Sequence, residues 1–284
     1  MTEASRTTPG THPRADCTVD TDGRIVFSLR TGEAVASPSS RSPRLLLRLR
    51  TGKDQPEEVL HVLDLEPGDD GRRRAVLEPR PTLTEGRWDV YLLPEPGAER
   101  QRLRPGLRDL RALVDGQSRD WPAPVAVRVP YTTKDGYLAV RAWLRTAHAE
   151  VEGIDVTDRS VTVRARLHGA SLSGESAVLL RPRDGNGAER SLAARPGGDG
   201  RTFSFTVDHE ELVTDGGTAS RVWDIGLRTA SGTEAPSLRV GRLLDDIADR
   251  KEIFVYPAAT VGAVAVRPRY TIDNDLSVEV TPAT

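Results

Sequence analysis

Trp88-Asp89-Val90-Tyr91-Leu92 returns 135 positions later as Trp223-Asp224-Ile225-Gly226-Leu227. A chain that carries its own second copy is confined to folds that can be built twice. Three further anchors keep the same order. Leu46-Leu47-Arg48-Leu49-Arg50 meets Leu179-Leu180-Arg181-Pro182-Arg183 at an offset of 133. Leu103-Arg104-Pro105-Gly106 meets Leu238-Arg239-Val240-Gly241 at 135, and Tyr131-Thr132 with Leu138 and Val140 meets Tyr270-Thr271 with Leu276 and Val278 at 138–139. The anchors predict a disordered tail over 1–16, one repeat over 17–148 and a second over 152–284, with Ala149–Gly153 as the link.

Within each copy, apolar residues alternate with polar ones. Val161, Val163, Ala165 and Leu167 alternate with Ser160, Thr162, Arg164 and Arg166, the pattern of a strand with one buried face. Ile25, Phe27 and Leu29 repeat it, as do Trp88, Val90 and Leu92, then Val125, Val127 and Val129, and Phe203, Phe205 and Val207. Asp22-Gly23, Asp135-Gly136 and Asp184-Gly185-Asn186 separate such runs as turns. Helical signal is confined to one or two turns each at 107–114 and 243–248, with a further turn at 208–213. The predicted fold is therefore all-β, two tandem immunoglobulin-like β-sandwich domains related by internal duplication.

Composition narrows the function. With 37% hydrophobic residues, 29% charged residues and a formal net charge of -2, the chain is neither wholly disordered nor a strongly basic nucleic-acid binder. No apolar run approaches the ~18–20 residues needed to cross a membrane. The first sixteen residues lack the apolar stretch of a secretory signal. Cys17 is the single cysteine, so no intrachain disulfide forms, and a reducing, cytoplasmic setting is expected. Its neighbours Asp16 and Asp20 disfavour a thiolate. Only Lys53, Lys134 and Lys251 stand among 40 basic residues, an Arg bias that points to a GC-rich, actinobacterial genome.

Catalytic patterns are incomplete. Gly169-Ala170-Ser171-Leu172-Ser173 lacks the closing glycine of a nucleophile elbow, and no phosphate-binding glycine loop is present. His12, His61, His148, His168 and His209 have no ligand spacing and read as surface or turn residues. His209-Glu210-Glu211 begins like a zinc-protease helix, but Val213 stands where the second histidine belongs. Asp184–Glu189 is too short for a calcium loop. Asp245, Asp246 and Asp249 match the magnesium-binding pattern of terpene synthases, which requires a helical bundle that a β chain lacks. No catalytic residue, metal site or cofactor is assigned, and the residues favour a binding protein over an enzyme.

Trp88 and Trp223 lead alternating apolar faces and are expected in the core. Trp143 sits in a strand that can face either way. Trp121 lies in a proline-rich loop without a counterpart in the second copy and is the best exposed aromatic. Tyr137 and Arg141 are also unmatched, facing Asp275 and Glu279 in the repeat. Trp121, Tyr137 and Arg141 are the candidate ligand-binding residues. Asp89 with Arg104, and Asp224 with Arg239, recur in both copies and are expected as structural ion pairs.

The run from Trp223-Asp224-Ile225-Gly226-Leu227 through Ser237–Leu244 to Ile253–Val280 resembles β-rich repeats that accompany actinobacterial family-2 glycosyltransferases and CDP-glycerol glycerophosphotransferases of teichoic-acid-like polymer synthesis. The resemblance covers most of 152–284 and, more faintly, 17–148. No Asp-x-Asp nucleotide-sugar segment accompanies it, so it transfers no catalytic residue. It implies a non-catalytic accessory or recognition module in glycopolymer or secondary-metabolite biosynthesis, with a glycan or polymer precursor as partner. Two alternatives stay open: a scaffold that binds a protein through a sheet edge, and a transferase-type enzyme with its site between the domains.

Overall fold

Alternation becomes strands throughout the computed structural model, which describes residues 12–30, 43–52, 59–68, 70–115, 121–185, 187–213, 220–229 and 237–283. The chain is nearly all β. It divides into two compact units: Met1–Gln117 with Val127–Trp143, and Ser118–Ala126 with Leu144–Thr284.

The first unit is built from β1 (Arg14–Val19), β2 (Ile25–Arg30), β3 (Arg44–Leu49), β4 (Leu60–Asp64), β5 (Glu66–Pro67), β6 (Arg72–Leu77), β7 (Gly86–Leu93), β8 (Gln101–Arg102), β9 (Arg104–Asp109), the short helix α1 (Arg111–Asp115), β10 (Val125–Thr132) and β11 (Leu138–Arg145). One sheet has the order β5-β6-β2-β1-β9, with β1 parallel to β9. The other runs β10-β11-β7-β3-β4, and β8 also pairs with β7. Ile25, Phe27, Leu47, Trp88, Val90 and Val140 form part of its buried core.

The second unit uses β12 (His148–Val156), β13 (Ser160–His168), β14 (Ala177–Pro182), β15 (Arg190–Ala193), β16 (Arg195–Pro196), β17 (Thr202–Asp208), α2 (His209–Leu212), β18 (Arg221–Arg228), β19 (Leu238–Gly241), β20 (Ala259–Val261), β21 (Val264–Tyr270) and β22 (Leu276–Pro282). The run β16-β17-β13-β12-β19 reproduces β5-β6-β2-β1-β9, again with a parallel closing pair. The run β15-β14-β18-β22-β21 reproduces β4-β3-β7-β11-β10. Val163, Leu180, Phe205, Trp223, Leu227 and Val278 belong to a separate core.

Register makes the correspondence residue by residue. Leu49 faces Trp88, which faces Val140, and Pro182 faces Trp223, which faces Val278. The offsets 133, 135 and 138 are thus equivalent places in two ladders. The fourth anchor slips. Tyr91 pairs with Arg102, whereas Gly226 pairs with Arg239, so these strands correspond at an offset of 137. The connection before β19 is two residues longer than that before β8, and identity between Leu103-Arg104 and Leu238-Arg239 had masked it.

Other expectations need correction. β1 starts at Arg14, inside the expected tail, and its Ala15 and Cys17 are buried against β2. Ala149–Gly153 is no link but the middle of β12, where Ala149 and Val151 enter the core. Leu107–Asp109 belongs to β9, and helix forms only at Arg111–Asp115. The stretch 243–248 is not helical: Leu243 and Leu244 give their N–H groups to Glu150, and Ile247 gives its own to Asp245.

Candidate functional site

The same polar frame decorates the solvent side of the β3–β7 and β14–β18 pairs. In the first unit Asp89 accepts from Arg50 at 2.6 and 2.9 Å and from Arg102 at 3.0 Å. In the second, Asp224 accepts from Arg183 at 2.5 and 3.1 Å. The expected partners differ. Arg104 donates to the carbonyls of Asp135 and Gly136, and Arg239 reaches Asp275 at 3.3 Å. Arg50 and Arg183 lie one residue past the end of the neighbouring strand, two residues beyond Arg48 and Arg181 that pair with the aspartates.

Burial separates the two frames energetically. The Asp89 side chain is 8% exposed and that of Asp224 is 46% exposed. Asp89→Ala strands two guanidinium groups beside a desolvated site and is expected to cost about 2–4 kcal/mol. Asp224→Ala is expected to cost about 0–1 kcal/mol. Urea denaturation of both variants checks this ranking, and equal losses would contradict it.

Over this frame the units diverge. In the first, Tyr91 carries Arg48 above its ring at 5.4 Å, and Tyr137 is held between Arg102 and Arg104 at 4.1 and 4.2 Å. Register puts Gly226 at the place of Tyr91, Asp275 at that of Tyr137 and Gly241 at that of Arg104. Two rings and a guanidinium are gone. A groove of about 700 Å³ opens there, lined by Arg181, Arg183, Asp224, Gly226, Arg239 and Asp275, with Ser237, Lys251 and Ile272 among its further walls. Neither glycine has room for more: a Cβ on Gly226 would meet Ser237 Oγ at 2.5 Å, and one on Gly241 would meet the Asn274 carbonyl at 2.5 Å.

A buried polar chain continues from Asp275. Arg145 contacts its carboxylate at 2.9 Å and reaches His148 Nδ1 at 3.2 Å, and His148 Nε2 lies 2.9 Å from Glu150. Glu150 Oε2 accepts the Leu243 N–H at 2.8 Å and Oε1 the Leu244 N–H at 3.1 Å. Burial pushes the Glu150 carboxyl up to about 7, against the pull of the two N–H groups. Burial also raises the Asp275 carboxyl, which Arg145 and Arg239 draw back down. A carboxylate on the first strand does similar work in the other unit, where Asp16 accepts the Leu107 N–H at 2.7 Å. The two carboxylates fasten different places: Glu150 holds the segment just after β19, and Asp16 a residue within β9.

The predicted site residues have these settings. Trp121 is half-buried, and its N–H donates to His168 Nδ1 at 3.3 Å within the second unit. Tyr137 and Arg141 belong to the first unit. The Tyr137 ring is covered by its two arginines, and its hydroxyl meets His12 at 3.2 Å. Arg141 is buried with its guanidinium 4.9 Å from the Trp143 ring, which is buried as well. His148, His168 and His209 are buried rather than superficial: His148 lies between Arg145 and Glu150, His168 Nδ1 accepts the Trp121 backbone N–H, and His209 Nδ1 lies 3.3 Å from the Asp158 carbonyl. Of the acidic cluster, Asp245 is committed to structure: it pairs with the fully buried Arg250, which also donates to the Arg242 carbonyl at 3.0 Å. Desolvation pushes the buried Cys17 thiol up to about 12, so it is no nucleophile. Asn186 lies outside the described residues. The signal that sequence reading missed was the loss of bulk at outward positions of one copy.

No family model matches the chain, and no curated protein matches it. Among solved structures, S. aureus TarS is 13% identical, with a TM-score of 0.38 over 61% of this chain and 32% of that one. A pullulanase from Anoxybacillus sp. LM18-11, solved with maltotriose, is 12% identical, with a TM-score of 0.26 over 76% of this chain and 24% of the other. A tetra-tandem repeat from the extending region of a large adhesion protein is 10% identical, with a TM-score of 0.20 over 95% and 66%. This chain thus spans about a third of the TarS structure. Its function must be read from its own residues.

Proposed function

We propose that this chain is a non-catalytic recognition module, descended by duplication of one immunoglobulin-like sandwich, that binds its ligand in the groove of the second unit. One observation carries the reading: the groove lies where Gly226 and Asp275 stand in place of the first unit's Tyr91 and Tyr137. A feature confined to one copy is free of the architectural duty that both share. Its walls suit binding rather than bond-making. Arg183 is spent on Asp224 and Arg239 on Asp275, while the Thr271 hydroxyl accepts the N–H groups of Asp273 and Asp275. Binding therefore moves from Tyr137 and Arg141, whose faces neighbouring side chains occupy, to this groove. The wider role we assign is accessory to glycopolymer or related secondary-metabolite assembly in the cytoplasm, in keeping with the single buried thiol.

The test is a glycan and polymer-precursor array read with the wild-type chain and with Ser237→Trp, which fills the groove from a half-buried position. Binding lost at least tenfold in the variant, with unchanged thermal unfolding, supports the reading. Binding untouched by the variant contradicts it.

A second reading has its own observation. β4 ends its sheet and turns Leu60 and Val62 to solvent, an edge suited to strand addition by a protein partner. Val62→Lys would abolish capture of such a partner and leave the array unchanged.

A further inference from the structure

We infer that the edge strand β4 of the first unit pairs antiparallel with β4 of a second copy of this chain, about a two-fold axis at Val62. This rests on the sheet-edge reading of β4 and is independent of the groove. The backbone of the edge is open. The Leu49 N–H donates to the Val59 carbonyl at 3.0 Å, and the Leu65 N–H to that of Pro43 at 3.1 Å. Odd-numbered residues of β4 therefore turn their peptide groups to β3, and Leu60, Val62 and Asp64 turn theirs outward.

An apolar row runs to this edge. Tyr91 on β7 faces Leu46 on β3, and Leu46 faces Val62 on β4. Leu46 is 5% exposed, whereas Val62, at the end of the row, is 47% exposed. In the second unit the same row reads Gly226, Leu179 and Ser191. In the next row Arg48 faces the exposed Leu60, while its counterpart Arg181 is ion-paired with Glu189. One edge thus ends in a serine and a charged pair, features that discourage edge pairing. Its duplicate ends in a valine and a leucine. An apolar edge held by one copy alone lies outside the architecture that both share.

The two-fold axis continues the row with itself. Val62 meets Val62 of the second copy, and the two exchange their outward N–H and C=O groups. The row then reads Tyr91, Leu46 and Val62, followed by the same three in reverse. Leu60 stands opposite Asp64 in both directions, so no like charges meet, and Asp64 keeps the bond it accepts from Arg44 at 3.1 Å. No other described strand at the end of a sheet carries two exposed large apolar side chains, so within this chain β4 finds its match only in another β4. Such an isologous contact is closed, and assembly stops at two. Pairing of two five-residue strands buries less than the ~1,200–2,000 Å² of a stable interface, so the dimer is weak and depends on concentration.

Sedimentation velocity of the full chain over roughly 1 μM to 1 mM, the span of a weak association, tests the proposal. Wild type should pass from monomer to dimer. Val62→Lys sets two lysines face to face on the axis and should weaken the dimer at least tenfold. Ser191→Lys, the equivalent change on the other edge, should leave it unchanged. Thermal unfolding of both variants separates lost pairing from lost folding. A second pair of variants decides if Val62→Lys does not fold. Air oxidation should link Val62→Cys to its own copy and leave Ser191→Cys unlinked, with the buried Cys17 not competing. A monomer at every concentration would overturn the second copy as occupant, and the loss of a foreign partner in Val62→Lys would then decide the edge reading separately. A dimer that survives Val62→Lys would overturn the edge as its seam. Equal linkage of the two cysteine variants would overturn the axis, and assemblies that grow beyond two would overturn closure.

Discussion

Trp223→Ala is expected to destabilise the second unit by about 3–5 kcal/mol, the usual loss when a buried indole is truncated. The residue is 1% exposed and sits between Pro182 and Val278 across the sheet. Trp88→Ala is expected to cost as much in the first unit, and about 1 kcal/mol more for the bond that its Nε1 donates to the Thr84 carbonyl at 3.1 Å. Phenylalanine distinguishes the pair. Among the described residues, the Trp223 Nε1 has no hydrogen-bond partner, so Trp223→Phe removes a buried unsatisfied donor, and Trp88→Phe orphans a carbonyl. Trp88→Phe is therefore expected to be the more damaging. Because the cores are separate, hydrogen exchange should report each loss on its own unit's amides. Near-wild-type exchange in both alanine variants would refute the core assignment.

Glu150→Ala is expected to cost about 2–5 kcal/mol, since it leaves the Leu243 and Leu244 N–H groups buried without an acceptor. The same side chain sets a pH dependence. Its folded-state pKa, about 7, lies above the ordinary 4.5, so the folded chain holds this proton more tightly than the unfolded one does. The associated stability is fully present below pH 4.5 and is lost as pH rises through 7. The shift corresponds to a loss on the order of 3 kcal/mol by pH 8. Glu150→Gln cannot ionise and should flatten that part of the profile, at a cost of about 1–2 kcal/mol at pH 5, because its amide offers one acceptor where two N–H groups converge. Urea denaturation at pH 5 and pH 8 measures both effects. Parallel slopes for wild type and Glu150→Gln would show that another group carries the dependence.

The strands were legible because burial leaves a period of two in the sequence. Ile25, Phe27 and Leu29, or Phe203, Phe205 and Val207, predict their own faces without help from the rest of the chain. The ladders were legible where repeat partners are large and apolar, as at Leu47 and Leu180 or Trp88 and Trp223. Buried polar groups left no such trace. Glu150 looks like a surface residue until Leu243 and Leu244, more than ninety positions away, supply the N–H groups that justify burying it. The 107–114 stretch has helical spacing in Leu107, Leu110, Leu113 and Val114, but pairing with β1 draws its first half into a strand. The groove is an absence of side chains, and an absence has no motif. Comparing outward positions of the two units would have found it, since the offset of 135 sets Gly226 opposite Tyr91 and that of 138 sets Asp275 opposite Tyr137.

The parallel closing pairs bear on how the chain is made. Ninety positions separate Arg14 from its partner Arg104, and β7 has its first half covered only when Ala139–Ala142 arrives. The first strand therefore leaves the ribosome long before its edge can be filled, and non-local closure of this kind is slow. By the time β11 ends at Arg145, translation has not yet reached β12, which starts at His148. The strands of the first unit are thus all made before those of the second. Refolding the finished chain from denaturant removes that order, since β3 and β14, or β7 and β18, then compete for the same registers. Exchange of strands between like repeats is the characteristic fault of such chains, and synthesis in order, which offers the first unit its own strands first, works against it.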